Sequence, residues 1–482
     1  MDEIVKSNNK ICGRLCVEMT GRLDSPLSIG SGEENDTDSD IVFHASGEPY
    51  IPGSSLAGAL LEYAAAMKGE KEAKELFGMP MGGEPGGRDD RQSRIFVYDA
   101  SIEGAKIGIR DGVKLDENKT ASNMGKYELQ FVERGANIRM RIEIIEREDC
   151  FKRIDSEEVE SVWDRDLQWI HLWRNGFLRG ELRLGGKSRR GFGKIAIDRI
   201  RIRKFDMRKP EFYEKWLDWD WENTDAFEGK LCREILIRDQ DKFGKDRLEH
   251  CLEVPLRLSG TLLVRTYANA FAKTEEIADY WQMTVAGDEK MAVIPGSSWA
   301  GVFRSHITKI LQELLQQPDW REAQKMLNPL FGTWTDTEAK SQKLCASRLI
   351  FEETVLAGGH GLPTARIAVD RFTGGTVQGA LYEEVPWTGG ELMLRIRWRR
   401  CGQEAQDNLS DHQVCGMLLW AIRDLQAGLL AVGGENSVGR GIFKPGKDGG
   451  HILLDENPLT YEQQKQYMQD AALWVRSKKK PR

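Results

Sequence analysis

At 482 residues, 30% of them charged, the chain is too long for one ordinary core and too polar for a membrane protein. Its net charge of −7 excludes a surface that binds nucleic acid everywhere, so any polyanion site has to be local. Eight scattered cysteines read as reduced core thiols, with no structural zinc expected. No stretch approaches the roughly 20 apolar residues of a membrane span, and Met1-Asp2-Glu3 lacks the basic start of a signal peptide; a cytoplasmic protein without a membrane partner is expected.

In chain order, Leu15–Leu23 alternates apolar and polar residues and predicts a first strand. An acidic loop, Glu33–Asp40, and a short strand at Ile41–Phe43 lead to Ile51-Pro52-Gly53-Ser54-Ser55. Proline fixes φ there, glycine permits close approach, and Ser54 or Ser55 is placed to cap a helix whose stripe is Leu56, Leu60, Tyr63 and Ala64. Such a helix start can present N–H groups to a phosphate. A glycine-rich loop at 82–91, a strand at Ser93–Val97 and a segment ending at Asp116 follow. Tyr127–Val132 and Ile138–Ile144 resemble a hairpin, and Asp164–Leu178 is helical in period. Next comes Gly185-Gly186-Lys187-Ser188-Arg189-Arg190-Gly191-Phe192-Gly193-Lys194, a basic glycine loop. Between Arg179 and Lys209, twelve basic residues stand against three acidic ones, which predicts an anionic partner.

The pattern lapses over 206–250, expected to be a helical connector carrying Trp216, Trp219 and Trp221, and then repeats. Ile294-Pro295-Gly296-Ser297-Ser298-Trp299-Ala300-Gly301 keeps seven of the eight residues of 51–58. Thr274–Asp279 stands where the acidic loop stood, Arg366–Arg371 matches the segment ending at Asp116, and Leu381–Ile396 repeats the hairpin. Gly433-Gly434-Glu435-Asn436-Ser437-Val438-Gly439-Arg440-Gly441 repeats the glycine loop with fewer cations, so its backbone N–H groups are the expected grip. The order of elements predicts an α+β protein with two tandem ferredoxin-like domains over 1–205 and 251–460 and a basic tail over 461–482.

The glycine loop, the Ile-Pro-Gly-Ser-Ser helix start and Val369-Asp370-Arg371-Phe372-Thr373-Gly374 together resemble the RAMP superfamily of CRISPR proteins. More narrowly, both halves look like the Cas-seven-like backbone subunits of type III effector complexes, with RRM-like domains carrying inserted hairpins and loops, fused as in the type III-D group. The resemblance implies CRISPR RNA and single-stranded target RNA as partners. It also implies a large polymerase-like subunit, other RAMP subunits and small helical subunits as neighbours, and a thumb-like hairpin in each domain that kinks the guide–target duplex.

The family cuts target RNA with an aspartate in the loop before the Ile-Pro-Gly-Ser-Ser segment. By position this is Asp38 in the first half, with Asp40 as its rival, and Asp279 in the second; Asp38 and Asp279 would also meet a transient Mg2+ or Mn2+. The RNA-binding candidates are Gly53, Ser54 and Ser55, Gly185–Gly191, Gly193 and Lys194, and in the second half Gly296, Ser297, Ser298, Gly433, Gly434, Asn436, Ser437, Arg440 and Gly441. A purely structural backbone and a guide-processing endonuclease are the alternatives. The latter ranks last, because no histidine lies between His171 and His250.

Overall fold

The computed structural model describes residues 10–78, 92–115, 121–148, 159–223, 232–236, 247–266, 278–286, 288–316, 319–333, 345–400, 409–447 and 449–478. The glycine-rich stretch at 82–91, residues 274–277 and the last lysines of the tail lie outside them. The first half runs β1 (Ile11–Leu23), α1 (Gly53–Lys68), β2 (Ile95–Val97), β3 (Ala100–Glu103), β4 (Ile107–Leu115), β5 (Ala121–Val132), β6 (Asn137–Arg147), α2 (Val159–Arg179) and β7 (Ile195–Asp206), followed by α3 (Pro210–Leu217) and β8 (Cys232–Leu236). The second runs β9 (Glu249–Ser259), β10 (Arg265–Thr266), β11 (Tyr280–Gln282), α4 (Gly296–Leu315), β12 (Leu349–Phe351), β13 (Thr364–Val369), β14 (Thr376–Val385), β15 (Glu391–Arg399), α5 (Asp411–Ala427) and β16 (Ile442–Pro445), then α6 (Tyr461–Ser477).

In each half the principal strands form one antiparallel sheet in the order fourth, first, third, second: β7–β1–β6–β2/β3, and β16–β9–β15–β12. This is the ferredoxin-like βαββαβ arrangement, built twice. Each copy buries its own core. Leu15, Val17, Leu56, Leu60, Ile142, Trp173 and Ile200 belong to the first, and Val254, Leu256, Trp299, Phe303, Phe351, Leu394 and Trp398 to the second. Two of the buried indoles pair their N–H groups inside these cores, Trp173 with Leu60 O at 3.1 Å and Trp299 with Thr354 Oγ1 at 2.7 Å.

Four local expectations are corrected. Tyr127–Val132 does not pair with Ile138–Ile144: β5 pairs with β4, while β6, buried on both faces from Ile142 to Glu146, lies inside the sheet beside β1. The second half does the same, β14 pairing with β13 and β15 with β9. The serines do not cap their helices, because each helix begins one residue earlier, at Gly53 or Gly296, with proline at the cap position. Residues 206–250 contain α3 and also β8, which extends the first sheet by pairing with β7. The tail is a helix over 461–477, capped by Thr460 and Gln463 and held by buried Ala471 and Val475. A Cβ on Gly416 would fall 2.0 Å from Tyr467 O, so glycine lets α5 and α6 touch backbone to backbone.

Candidate nucleic-acid interface

Asp38 and Asp279 occupy equivalent places. The Glu128 N–H donates to Asp38 Oδ2 at 2.7 Å, and the Glu383 N–H donates to Asp279 Oδ2 at 2.9 Å. Both donors lie on the second strand of a hairpin inserted between the sheet strands, β5 in one half and β14 in the other. The equivalence extends down the chain, since Val42 N–H bonds Ile29 O and Met283 N–H bonds Val264 O. Both aspartates are exposed, and the second carboxylate oxygen of each has no protein partner among the described residues.

Asp40 is a different kind of residue. Its buried carboxylate accepts the N–H groups of Asn35, Asp36 and Thr37 and the Thr37 hydroxyl. The Asp36 N–H and the Thr37 hydroxyl lead in holding its pKa down to about 2. Asp40 shapes the loop; Asp38 projects from it.

The two glycine loops have the same backbone. Lys187 and Glu435 are both left-handed, at φ 57° and 53°, and each precedes a short 3-10 turn. A Cβ on Gly193 would lie 1.8 Å from Leu184 O, and one on Gly441 would lie 1.9 Å from Val432 O, so both closing positions demand glycine. The expected grip by free backbone N–H groups needs correction. Gly186 donates to Ser28 O, Gly193 to Pro26 O, Gly434 to Leu263 O and Gly441 to Thr261 O, all at 2.7 Å. Those donors tie each loop to the end of its own first sheet strand. Gly185, Gly186 and Lys187 stay exposed in the first loop, as do Ser437 and Val438 in the second, with Asn436 and Gly433 half-buried.

The helix starts are filled from within as well. Asp99 Oδ1 accepts the Gly53 N–H at 2.7 Å, and a Cβ on Gly296 would meet Phe351 O at 2.1 Å and Arg190 O at 2.3 Å. Ser54 and Ser297 are exposed, and Ser55 and Ser298 half-buried, in the first turns of α1 and α4.

The basic stretch finds much of its anionic partner in the chain itself, which corrects the inference that an outside polyanion is needed to balance it. Arg183 pairs with Glu249 and Glu352, Lys194 with Asp24, Arg199 with Glu234, Arg201 with Glu18, and Arg208 with Asp206. Ser188–Arg190 docks on the second half, where a Cβ on Gly191 would strike Glu353 N at 2.4 Å. Burial lowers the pKa values of Arg189 and Arg190. Glu353, with a fully buried side chain, binds Arg110 at 2.5 Å and also Arg134, and Arg110 lies over Phe131 and Phe192. Burial alone would raise the Glu352 pKa, yet Arg397, Lys194 and Arg183 hold it below the ordinary range. Of the loop's cations, Lys187 is the exposed one, its Nζ 5.0 Å from the centre of the Tyr127 ring.

A sequence profile described as the RAMP superfamily matches residues 20–196 and 286–444, one region in each half. The chain belongs to the RAMP superfamily. No curated protein matches it. Among solved structures it is similar to a chain of the "Cryo-EM structure of the Type III-B Cmr-beta bound to cognate target RNA", at 21% identity and a TM-score of 0.28. The match covers 42% of this chain and 63% of that one, less than two-thirds of its length.

Each RAMP copy therefore presents an exposed aspartate at a hairpin and a glycine loop nearby. In the second copy the hairpin turn is organised by Asp370, whose Oδ1 accepts from Phe372 N, Thr373 N and the Thr373 hydroxyl. Phe372 at that turn is 99% exposed, a residue the sequence reading named without giving it a role. As for a divalent ion, no group of three His, Cys, Asp or Glu side chains able to hold one occurs among the described residues. The free carboxylate oxygen of Asp38 or Asp279 is of the kind that can serve Mg2+ or Mn2+ as a single ligand shared with substrate phosphate and water.

Proposed function

We propose that the chain is a backbone subunit of a type III CRISPR effector complex, holding CRISPR RNA and cutting paired target RNA at two places, one per RAMP copy. The observation that carries this reading is the matched pair of exposed carboxylates, Asp38 on Glu128 N–H and Asp279 on Glu383 N–H. Family membership over both halves supports it. CRISPR RNA, target RNA, a large polymerase-like subunit, further RAMP subunits and small helical subunits are the partners this reading assigns.

In each copy the backbone N–H fixes one carboxylate oxygen, leaving the other to take the proton of a ribose 2′-hydroxyl. The hydroxyl oxygen then attacks the adjacent phosphorus as the P–O5′ bond breaks; the 5′-oxygen takes a proton from water and the carboxyl group returns the one it took to solvent, giving a 2′,3′-cyclic phosphate and a 5′-hydroxyl. Mg2+ or Mn2+, when bound, supplies positive charge to the phosphate. The hairpins hold the strand kinked, so that a ribose and its phosphate come into line. Lys187 and the exposed backbone of the glycine loop face the RNA backbone.

The test uses the assembled complex with target RNA and Mg2+ or Mn2+. The double variant Asp38→Asn/Asp279→Asn keeps a hydrogen-bond acceptor for each N–H but loses the base. It should bind target as the wild type does and leave it uncut; cleavage at the wild-type rate would overturn the reading in favour of a non-catalytic backbone.

A further inference from the structure

The two copies differ at one charged position in a way that other substitutions offset. Lys187 and Glu435 share a backbone position; Lys187 lies over Tyr127, and Glu435 is joined through Arg366 to Tyr382, each tyrosine preceding the residue bonded to the candidate aspartate. A bare carboxylate at Glu435 would repel an RNA strand where Lys187 attracts one.

Glu435 is not bare. Arg265 Nη2 meets its Oε1 at 2.7 Å, while Arg366 Nη1 and Arg440 Nε meet its Oε2 at 3.0 and 3.3 Å. Arg366 and Arg440 also share Glu384. Three guanidiniums against two carboxylates leave a surplus of one positive charge, the charge Lys187 brings to the first copy.

Register shows where these groups come from. Arg265 follows Val264 as Gly30 follows Ile29, the two residues whose carbonyls accept the equivalent bonds from Met283 and Val42. Arg366 lies opposite Tyr382 as Gly112 lies opposite Tyr127. The second copy thus has arginines at two positions where the first has glycines, and a glutamate where the first has its lysine. Beneath them, Arg440 and Glu384 stand where the first copy buries Phe192 and Leu129, so an ion pair occupies the place of an apolar contact.

Arg440 is 4% exposed and belongs to the base of the cluster. Arg265 and Arg366 keep 39% and 29% of their side chains exposed. Arg265 lies over the ring of Tyr280, next to Asp279, at 4.4 Å, and Arg366 Nη1 reaches the Tyr382 hydroxyl at 3.5 Å. Both therefore flank the residues that position Asp279.

We infer that Arg265 and Arg366, oriented by Glu435, form the second copy's contact to an RNA backbone phosphate beside Asp279, in the role Lys187 plays in the first. The inference rests on the reading of the chain as an RNA-binding subunit. Guanidiniums already held by a carboxylate lose little freedom on meeting a phosphate, and their planar donors suit two of its oxygens.

The experiment measures binding of the full chain to a fluorescein-labelled single-stranded RNA by anisotropy from 50 to 300 mM KCl. Arg265→Gln/Arg366→Gln should weaken binding about tenfold at 100 mM and lower the slope of log K against log salt by about 1.4, roughly 0.7 per charge removed. The triple variant Arg265→Gly/Arg366→Gly/Glu435→Lys, which gives the second copy the first copy's residues at these three positions, should recover binding to within about threefold. Unchanged affinity and slope in the double variant, with wild-type binding intact, overturns the inference alone. A triple variant that recovers the melting temperature but not the affinity shows that a lysine at 435 cannot stand in for the arginines, and so overturns the equivalence with Lys187. A wild-type chain that binds no RNA at 50 mM removes the parent reading together with this one.

Discussion

Glu353→Gln is the substitution that most directly probes how the two copies are joined. The Glu353 side chain is fully buried and receives Arg110 and Arg134 from the other half, while Arg110 rests on the Phe131 and Phe192 rings. An isosteric amide preserves the shape but leaves two guanidiniums, 9% and 20% exposed, without their counter-ion. Breaking a buried pair from one side costs about 3–5 kcal/mol. Arg134 also lies 3.7 Å from Glu133, which puts the estimate at the low end, about 3 kcal/mol. That is more than a hundredfold in the equilibrium between docked and undocked halves. Each half has its own core, so the loss falls on the junction and not on either fold. In calorimetry the wild-type chain should melt in one transition and the variant in two. Glu353→Leu with Arg110→Met and Arg134→Met should restore a single transition, because an apolar set of similar volume needs no counter-charge. A Glu353→Gln chain that melts as the wild type does would refute the ionic account of the junction.

Three further outcomes follow from other parts of the molecule. Burial disfavours the charged form of His250, but bonds to Asp411 and to Asp455, the latter at 2.7 Å, outweigh it and raise its pKa. The resulting stability is fully present below the unfolded value near 6.5 and lost as pH rises through the folded pKa, so the melting-temperature gap between wild type and His250→Gln should shrink as pH rises from 6 to 9. Gly296→Ala drives a Cβ into two backbone carbonyls and should destabilise the chain by about 1–3 kcal/mol in urea titration, whereas Gly301→Ala, with open space around it, should stabilise it by up to about 1 kcal/mol. Phe372→Ala removes a 99% exposed ring, so the melting temperature should stay within a degree or so while target affinity in the assembled complex falls several-fold.

The duplication was legible because glycine and proline at 52–53 and 295–296 are dictated by backbone geometry and survive divergence: Gly53 and Gly296 each begin a helix pressed against a neighbouring strand's carbonyl. The glycine loops were legible for the same reason. Strand partners were not, because β5, with Leu129 and Phe131, and β6, with Ile138, Met140, Ile142 and Ile144, both alternate apolar and polar residues, and nothing local says which one pairs with β4. The basic stretch misled because the carboxylates that answer it, such as Glu249 and Glu352 for Arg183 and Glu18 for Arg201, lie far along the chain. For Asp40 a local signal existed. Asn35, Asp36 and Thr37 are turn-forming residues a few positions before a carboxylate, a pattern suited to side chain to backbone closure. Arg265 and Arg366 escaped notice because their meaning depends on the register that aligns them with Gly30 and Gly112.

The most direct measurement is the position of each cut. The assembled complex, carrying Asp38→Asn or Asp279→Asn singly, is incubated with end-labelled target RNA, and the fragment ends are mapped to the nucleotide. Each variant should lose a different cut and keep the other, with target affinity unchanged. Identical cuts in both variants and in the wild type would contradict the assignment of one cleaving carboxylate to each RAMP copy.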